Sequence, residues 1–95
     1  MQKFDVRNAT PKIIREHVIE LISEVSGLSV DELEPGMSVA EDIAPNSIDR
    51  ITLFMALEDE FNESIPESEV RDIITLKQLL DFVELRVISL RNASA

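Results

Sequence analysis

The chain has no cysteine, no tryptophan and no tyrosine, and only two glycines among 95 residues. Without cysteine there is no disulfide, no thiolate nucleophile and no thiolate metal site, a composition that fits a cytoplasmic protein. Two glycines and four prolines leave little material for hairpin turns and favour an all-helical chain. Other expected patterns are missing too. No glycine-rich phosphate loop or dinucleotide fingerprint occurs, no G-x-S-x-G nucleophile elbow, and no D-x-[DN]-x-[DN]-G calcium loop. Acidic pairs are plentiful, but nothing suggests the enclosed apolar pocket that would separate two carboxyl pKa values. Residues 1–9 lack the apolar segment of a signal peptide. The longest apolar stretch, Ile51 to Leu57, is interrupted by Thr52 and is too short to span a bilayer. No catalytic residue and no dedicated metal site is expected; the acidic run Glu58–Asp59–Glu60 offers at most weak, unspecific binding of divalent ions.

What is present suits one small domain. Hydrophobic residues make up 44%, enough for a single core but not for a large cleft. Charge is unevenly placed. Between Glu24 and Glu69 stand thirteen acidic residues and one basic residue, Arg50, whereas each flanking segment carries four basic and three acidic residues. The acidic middle argues against nucleic acid and anionic membranes and for partners with basic surfaces. A merely solubilising surface is the plainer reading of the same charge.

Residues 1–9 read as a polar lead-in, 10–91 as the domain and 92–95 as a short tail. Thr10-Pro11 is an N-cap followed by proline at the first helical position. Ile14, Val18, Leu21 and Val25 then share a helical face, and Gly27 is placed to end the helix in a left-handed conformation. This predicts a helix over 11–26. His17 sits at the edge of that face with no acidic or cysteine companion at ligand spacing, so a structural role is expected. Residues 28–45 form a long crossover. Ser29-Val30-Asp31-Glu32 matches a capping box and predicts one helical turn, Pro35-Gly36 a reversal. Leu28, Val30, Leu33, Met37, Val39 and Ile43 are spaced to pin the segment to a core.

Asn46 to Phe61 is the stretch around which the chain is organised. Pro45 excludes an earlier helical start, Asn46 is a strong N-cap, and Asp49 is placed to complete a reciprocal cap and to complement the helix dipole. Leu53, Phe54, Leu57 and Phe61 group as a core face, opposite Thr52, Ala56, Asp59 and Glu63. Ile48, Ile51 and Met55 add a second apolar strip, and two readings of it stay open: a wide core stripe or a docking edge. Ser47 lies in the first turn, where the dipole favours a negatively charged substituent by about 0.3–1 kcal/mol. Ile65-Pro66 closes the helix, and 67–72 allows a short one. Thr75-Leu76-Lys77-Gln78 caps a last helix whose apolar positions are Leu76, Leu79, Leu80, Val83, Val87 and Leu90. Phe82, Leu85 and Ile88 widen its apolar surface, through deep burial or self-association. The expected fold is all-α: an antiparallel bundle of three longer helices plus one short helix, with a long crossover between the first two.

Asp42-Ile43-Ala44-Pro45-Asn46-Ser47-Ile48-Asp49, then Met55-Ala56-Leu57-Glu58-Asp59-Glu60-Phe61 and Ile65-Pro66, resemble the acyl carrier proteins over roughly residues 10–90. In that family an aspartate-serine-leucine motif opens the second helix and its serine carries 4′-phosphopantetheine. The resemblance implies that a phosphopantetheinyl transferase installs the arm on Ser47. It also implies that acyl groups ride on the arm's thiol as thioesters, and that the chain, not itself an enzyme, presents them to basic-surfaced enzymes of fatty acid, lipid or polyketide-type synthesis. Ile48, Ile51 and Met55, with Asp49, Glu58 and Asp59, match family positions that dock partners, and Arg50 sits among them. A monomer is expected.

The departures are specific. Asn46 stands where the family has aspartate, keeping the cap and dropping a charge beside the serine. Ala44-Pro45 replaces glycine-alanine, Thr52 replaces an acidic contact, and Arg50 brings the only positive charge of the acidic middle. Together they suggest a carrier dedicated to one pathway. An aminoacyl or peptidyl carrier shares the mechanism with other cargo, and an unmodified helical adaptor on the same fold is the alternative from a different class.

Overall fold

A computed structural model describes the backbone of residues 10–93 and the side chains through Ser89. Four α-helices follow one another: α1 (Pro11–Ser26), α2 (Ser47–Phe61), α3 (Glu67–Val70) and α4 (Leu76–Ala93). A 3₁₀ turn (Val30–Glu32) and a π-helical turn (Val39–Ile43) lie in the crossover between α1 and α2. No strand occurs among the described residues, so the all-α expectation, three longer helices and a short one, is met. The lead-in expected at 1–9 lies outside the described residues, as do the last two residues of the tail and the side chain of Leu90.

The helix ends follow from local chemistry. Thr10 Oγ1 accepts from the Ile13 N–H at 3.2 Å, and Gly27 ends α1 at φ 81°, its N–H donating to the Ser23 carbonyl. A side chain at that φ would be strained. α4 opens with the full reciprocal box: Gln78 N–H donates to Thr75 Oγ1 at 3.2 Å and Thr75 N–H to Gln78 Oε1 at 2.9 Å. α2 ends earlier than its Ile-Pro pair suggests. Asn62 takes the left-handed conformation (φ 53°), which asparagine tolerates, and its N–H donates to the Glu58 carbonyl.

The core is one cluster. Ile14, Val18 and Ile22 of α1 meet Leu53, Phe54, Leu57 and Phe61 of α2 and Leu76, Leu79, Leu80, Val83 and Val87 of α4. Among the described residues no polar or charged side chain is buried. Burying each Leu, Ile or Phe is worth roughly 1.5–3 kcal/mol, which holds helices that would be marginal alone. His17, near the middle of α1, meets Glu60 in the last turn of α2, with Nε2 and Oε1 2.7 Å apart. His17 therefore has an acidic companion that comes from a distant segment of the chain. It also stands edge-on to the Phe61 ring at 5.9 Å.

The crossover is anchored by main chain as well as by side chains. Val39 N–H donates to the Ile74 carbonyl, Leu76 N–H to Met37 and Lys77 N–H to Pro35, each at 2.9 Å, with an antiparallel bridge between Ser38 and Thr75. Val39 and Ile43 are buried, and Leu28, Leu33 and Met37 pack against the core. Val30 does not. It is 49% exposed, because Leu28 and Leu33 already cover the core on either side of its turn. On the outer side, Arg15 bridges Asp81 (2.7 Å) and Glu84 (3.0 Å), tying α1 to α4.

Candidate functional site

Ser47 is the first residue of α2 and is exposed. Its hydroxyl makes no hydrogen bond among the described residues. The chain reaches it along a stiff path. Val39 to Ile43 make a π-helical turn closed at the front by a reciprocal pair: Ser38 Oγ accepts from the Glu41 N–H (3.1 Å), and Asp42 Oδ2 accepts from the Ser38 N–H (2.8 Å). Ala44 is buried, only 1% exposed, and Pro45 has a restricted φ. Asn46 is extended (φ −87°, ψ 134°), and its Oδ1 accepts from the Ile48 N–H at 2.7 Å. The cap expected of Asn46 is thus formed. The reciprocal bond expected from Asp49 is not: among the described residues no hydrogen bond links its carboxylate to the Asn46 N–H. The Asn46 cap takes up the Ile48 N–H, and Asp49 contributes its charge near the dipole.

Arg50, one turn into α2, folds back over this approach. Its Nη1 donates to the carbonyls of Ala44 (2.9 Å) and Pro45 (3.2 Å) and reaches that of Ala40 at 3.5 Å. Ala44 and Pro45 follow directly on the π-helical turn, where carbonyls have no partner within the turn, and Ala40 lies near its start. Ser47 is thereby fixed from both sides, by the Asn46 cap and by the Arg50 tie.

Beside Ser47 runs a groove of ≈ 520 Å³, walled by Ser47, Arg50, Ile51, Phe54, Met55 and Glu58 on α2 and by Ile65, Glu67 and Val70 across from it. Glu58 shapes its far end. Its Oε2 accepts from the Ile65 N–H at 2.8 Å and draws the α2–α3 connection against α2. Ile65 also lines a second, small and partly open space between α2 and α4, bounded by Leu57, Phe61, Phe82, Val83 and Val87 together with Glu63 and Arg86. That space holds ≈ 10 Å³, about room for one water.

The second apolar strip of α2 is a surface. Ile48 is 69%, Ile51 59% and Met55 62% exposed, whereas Leu53 is fully buried. Of the two readings left open, the wide core stripe is excluded. Thr52 beside it is exposed and donates its hydroxyl to the Ile48 carbonyl at 2.9 Å. Among the residues singled out in the sequence, the fold gathers Ser47, Arg50, Ile51, Met55 and Glu58 around one groove. Ile48, Asp49 and Asp59 are exposed elsewhere on α2. The acidic run 58–60 does not converge: Glu58 holds Ile65 and Glu60 meets His17, and among the described residues no acidic or histidine cluster is arranged to hold a metal. Ser47 and His17 are not neighbours, because Glu60, the partner of His17, lies thirteen residues beyond Ser47 on α2, about 20 Å along the axis.

A family model described as a phosphopantetheine attachment site matches residues 16–83, most of the chain. The chain belongs to this phosphopantetheine-attachment family. The resemblance to acyl carrier proteins agrees with that membership, and the prosthetic group it implies is covalently attached 4′-phosphopantetheine. Within the matched segment Ser23 donates to the Leu28 carbonyl, Ser26 accepts from the Leu28 N–H and Ser38 caps a turn, while Ser64 and Ser68 are exposed but do not line the groove. Ser47 is the serine that lines the groove. No helix among the described residues is long and apolar enough to cross a membrane.

Sequence reasoning missed the wall opposite α2. Ile65 and Val70 look like loop and short-helix residues in the sequence, and only the Glu58 bond and the fold bring them across from Ser47. It also read Arg50 by its charge alone. The signal was there, a lone cation one turn after a proline-stiffened approach, but its acceptors are main-chain carbonyls, which no residue pattern displays.

Proposed function

We propose that Ser47 is the residue that carries the 4′-phosphopantetheine arm, and that the chain is a carrier of acyl groups held as thioesters on the arm's thiol. It catalyses no step and presents its cargo to acyl-processing enzymes of fatty acid, lipid or polyketide-type synthesis. The observation that carries this reading is an exposed, unengaged serine hydroxyl at the mouth of an apolar groove, inside the segment matched by the family. The arm supplies the thiol that a cysteine-free chain lacks. A phosphodiester on Ser47 sits well at a helix N-terminus, whose dipole complements its charge. The groove, ≈ 520 Å³ and lined largely by Ile51, Phe54, Met55, Ile65 and Val70, is wide enough to shelter the arm's inner part and a short apolar cargo.

The docking edge of this reading is the exposed strip Ile48, Ile51 and Met55. Acidic residues within the same helix, Asp49 and Asp59, favour partners with basic surfaces. Glu58 and Arg50 are less available to a partner, being committed to Ile65 and to the Ser47 approach. Asn46 forms the cap without the charge that the family places there, which supports a carrier served by its own cognate enzymes.

Incubation with coenzyme A and a phosphopantetheinyl transferase, followed by intact-mass measurement, tests the assignment. The expected result is a gain of one phosphopantetheinyl unit that disappears in Ser47→Ala. A chain that stays bare, here and when isolated from its native host, would overturn the carrier reading in favour of an unmodified adaptor.

A further inference from the structure

We propose that Arg50 is the counter-ion of the phosphodiester that joins the arm to Ser47, holding the first part of the arm over the groove. The inference rests on Ser47 as the attachment residue. Three observations carry it. Ser47 and Arg50 are three apart on one helix, neighbours at about 5–6 Å between Cβ atoms, and both line the same groove. The guanidinium is pre-set rather than swinging in solvent, because Nη1 is tied to the carbonyls of Ala44 and Pro45 at 2.9 and 3.2 Å. That tie uses one nitrogen only, and among the described residues Nε and Nη2 have no hydrogen-bond partner. A guanidinium has five N–H donors in a fixed fork suited to phosphate oxygens, so the unused edge offers a matched pair of donors.

The charge balance points the same way. Thirteen acidic residues lie between Glu24 and Glu69 with Arg50 the only cation, and Glu58 and Glu67 share the groove. Arg50 is the one cation lining that groove, whereas Glu58 is held by the Ile65 N–H and Glu67 pairs with Arg71 at 3.3 Å, so Arg50 is the charge placed to meet a phosphodiester there. Loss of side-chain freedom, the usual cost of an exposed pair, is small here because the tie to the loop already restrains the arginine. The same residue thus holds the serine's approach before modification and the phosphate after it.

The test compares unmodified and phosphopantetheinylated protein for the wild type, Arg50→Gln and Arg50→Lys. Modification is expected to raise the wild-type Tm by a few degrees, roughly 2–6 °C for a domain this small. The rise is expected to be largely absent in Arg50→Gln and partly kept in Arg50→Lys. A merely structural tie lowers both forms alike and leaves the difference unchanged. The phosphodiester ³¹P resonance is expected to shift between wild type and Arg50→Gln, and the Arg50 Nε–H signal of the wild type to move and exchange more slowly after modification. An equal Tm rise in all three proteins, with unmoved ³¹P and Nε–H signals, overturns the proposal. Should Arg50→Gln fail to fold, the wild-type Nε–H signal decides alone. Failure of the Ser47 assignment is separate and visible beforehand, as a missing mass gain or one that persists in Ser47→Ala.

Discussion

The two apolar sides of α2 have similar residues and opposite fates. Leu53, Phe54, Leu57 and Phe61 are 0–7% exposed and meet α1 and α4, whereas Ile48, Ile51 and Met55 are 59–69% exposed and meet nothing on the first-named side. Nothing in the chemistry of leucine against isoleucine accounts for this. The difference comes from where the neighbours are. A three-helix core covers one side of α2, and the short α3 with its connection covers only the edge of the other, leaving a groove instead of a seal. Burial on the first side stabilises the helix, and exposure on the second leaves it open to contact.

Substitution separates the two sides, and the largest effect is expected in the core. Leu53→Ala should cost about 2–5 kcal/mol in urea unfolding, because a fully buried side chain leaves a cavity; a cost as small as that of an exposed position would break the contrast. Asn46→Ala comes next, with about 0.5–2 kcal/mol expected from loss of the 2.7 Å cap to Ile48 N–H. Asn46→Asp should leave stability nearly unchanged and alter the rate of modification. If that rate and the choice of partners stay the same, the idea of a dedicated carrier loses its main support.

Ile51→Ala should move stability by no more than about 0.5 kcal/mol, as an exposed site does. Its effect belongs in partner kinetics: kcat/KM of the transferase or of an acyl-processing enzyme should fall about fivefold, the scale of a docking side chain worth on the order of 1 kcal/mol. Loss of stability without loss of kcat/KM would return Ile51 to the core reading.

The smallest effect is expected far from either side of α2. Lys77 at 3.0 Å, and then Arg15 at 2.7 Å, hold the Asp81 carboxyl below its ordinary value. A carboxyl whose folded pKa is depressed adds stability that is present above its unfolded pKa, about 4, and is lost as pH falls through the folded value. Asp81→Asn should therefore lower stability slightly at neutral pH and flatten the acid limb of a stability-versus-pH profile. Because both partners are well exposed, the change is expected to be small and to shrink with added salt.

Much of the fold was legible in the residues because its signals are local. The Thr10-Pro11 and Thr75–Gln78 caps, Gly27 and the 3.6-residue spacing of core positions each act within a few residues, and α1 and the start of α4 formed where those signals placed them, whereas α2 and α3 end earlier than expected and α4 runs on to Ala93. Ser47 was legible for the same reason: position relative to Pro45 and Asn46 puts it in the first turn. Val30 and Asp49 misled because apolar spacing and cap spacing state only what a residue is able to do. Leu28 and Leu33 cover the core in place of Val30, and Asp49 makes no bond to the Asn46 N–H among the described residues although the Asn46 side chain caps Ile48.

Residue order alone thus determined that this chain makes helices, where they start, and that a serine opens the second one. Three things required distant segments to meet. Ile65 and Val70 had to come across from Ser47 for a groove to exist, α1 and α4 had to choose one apolar side of α2 and leave the other exposed, and the Arg50 guanidinium had to find carbonyls at Ala44 and Pro45. The reason is physical: caps and periodicity are set by neighbours in sequence, whereas burial, groove walls and main-chain acceptors for a long side chain depend on which surfaces the collapsed chain brings together.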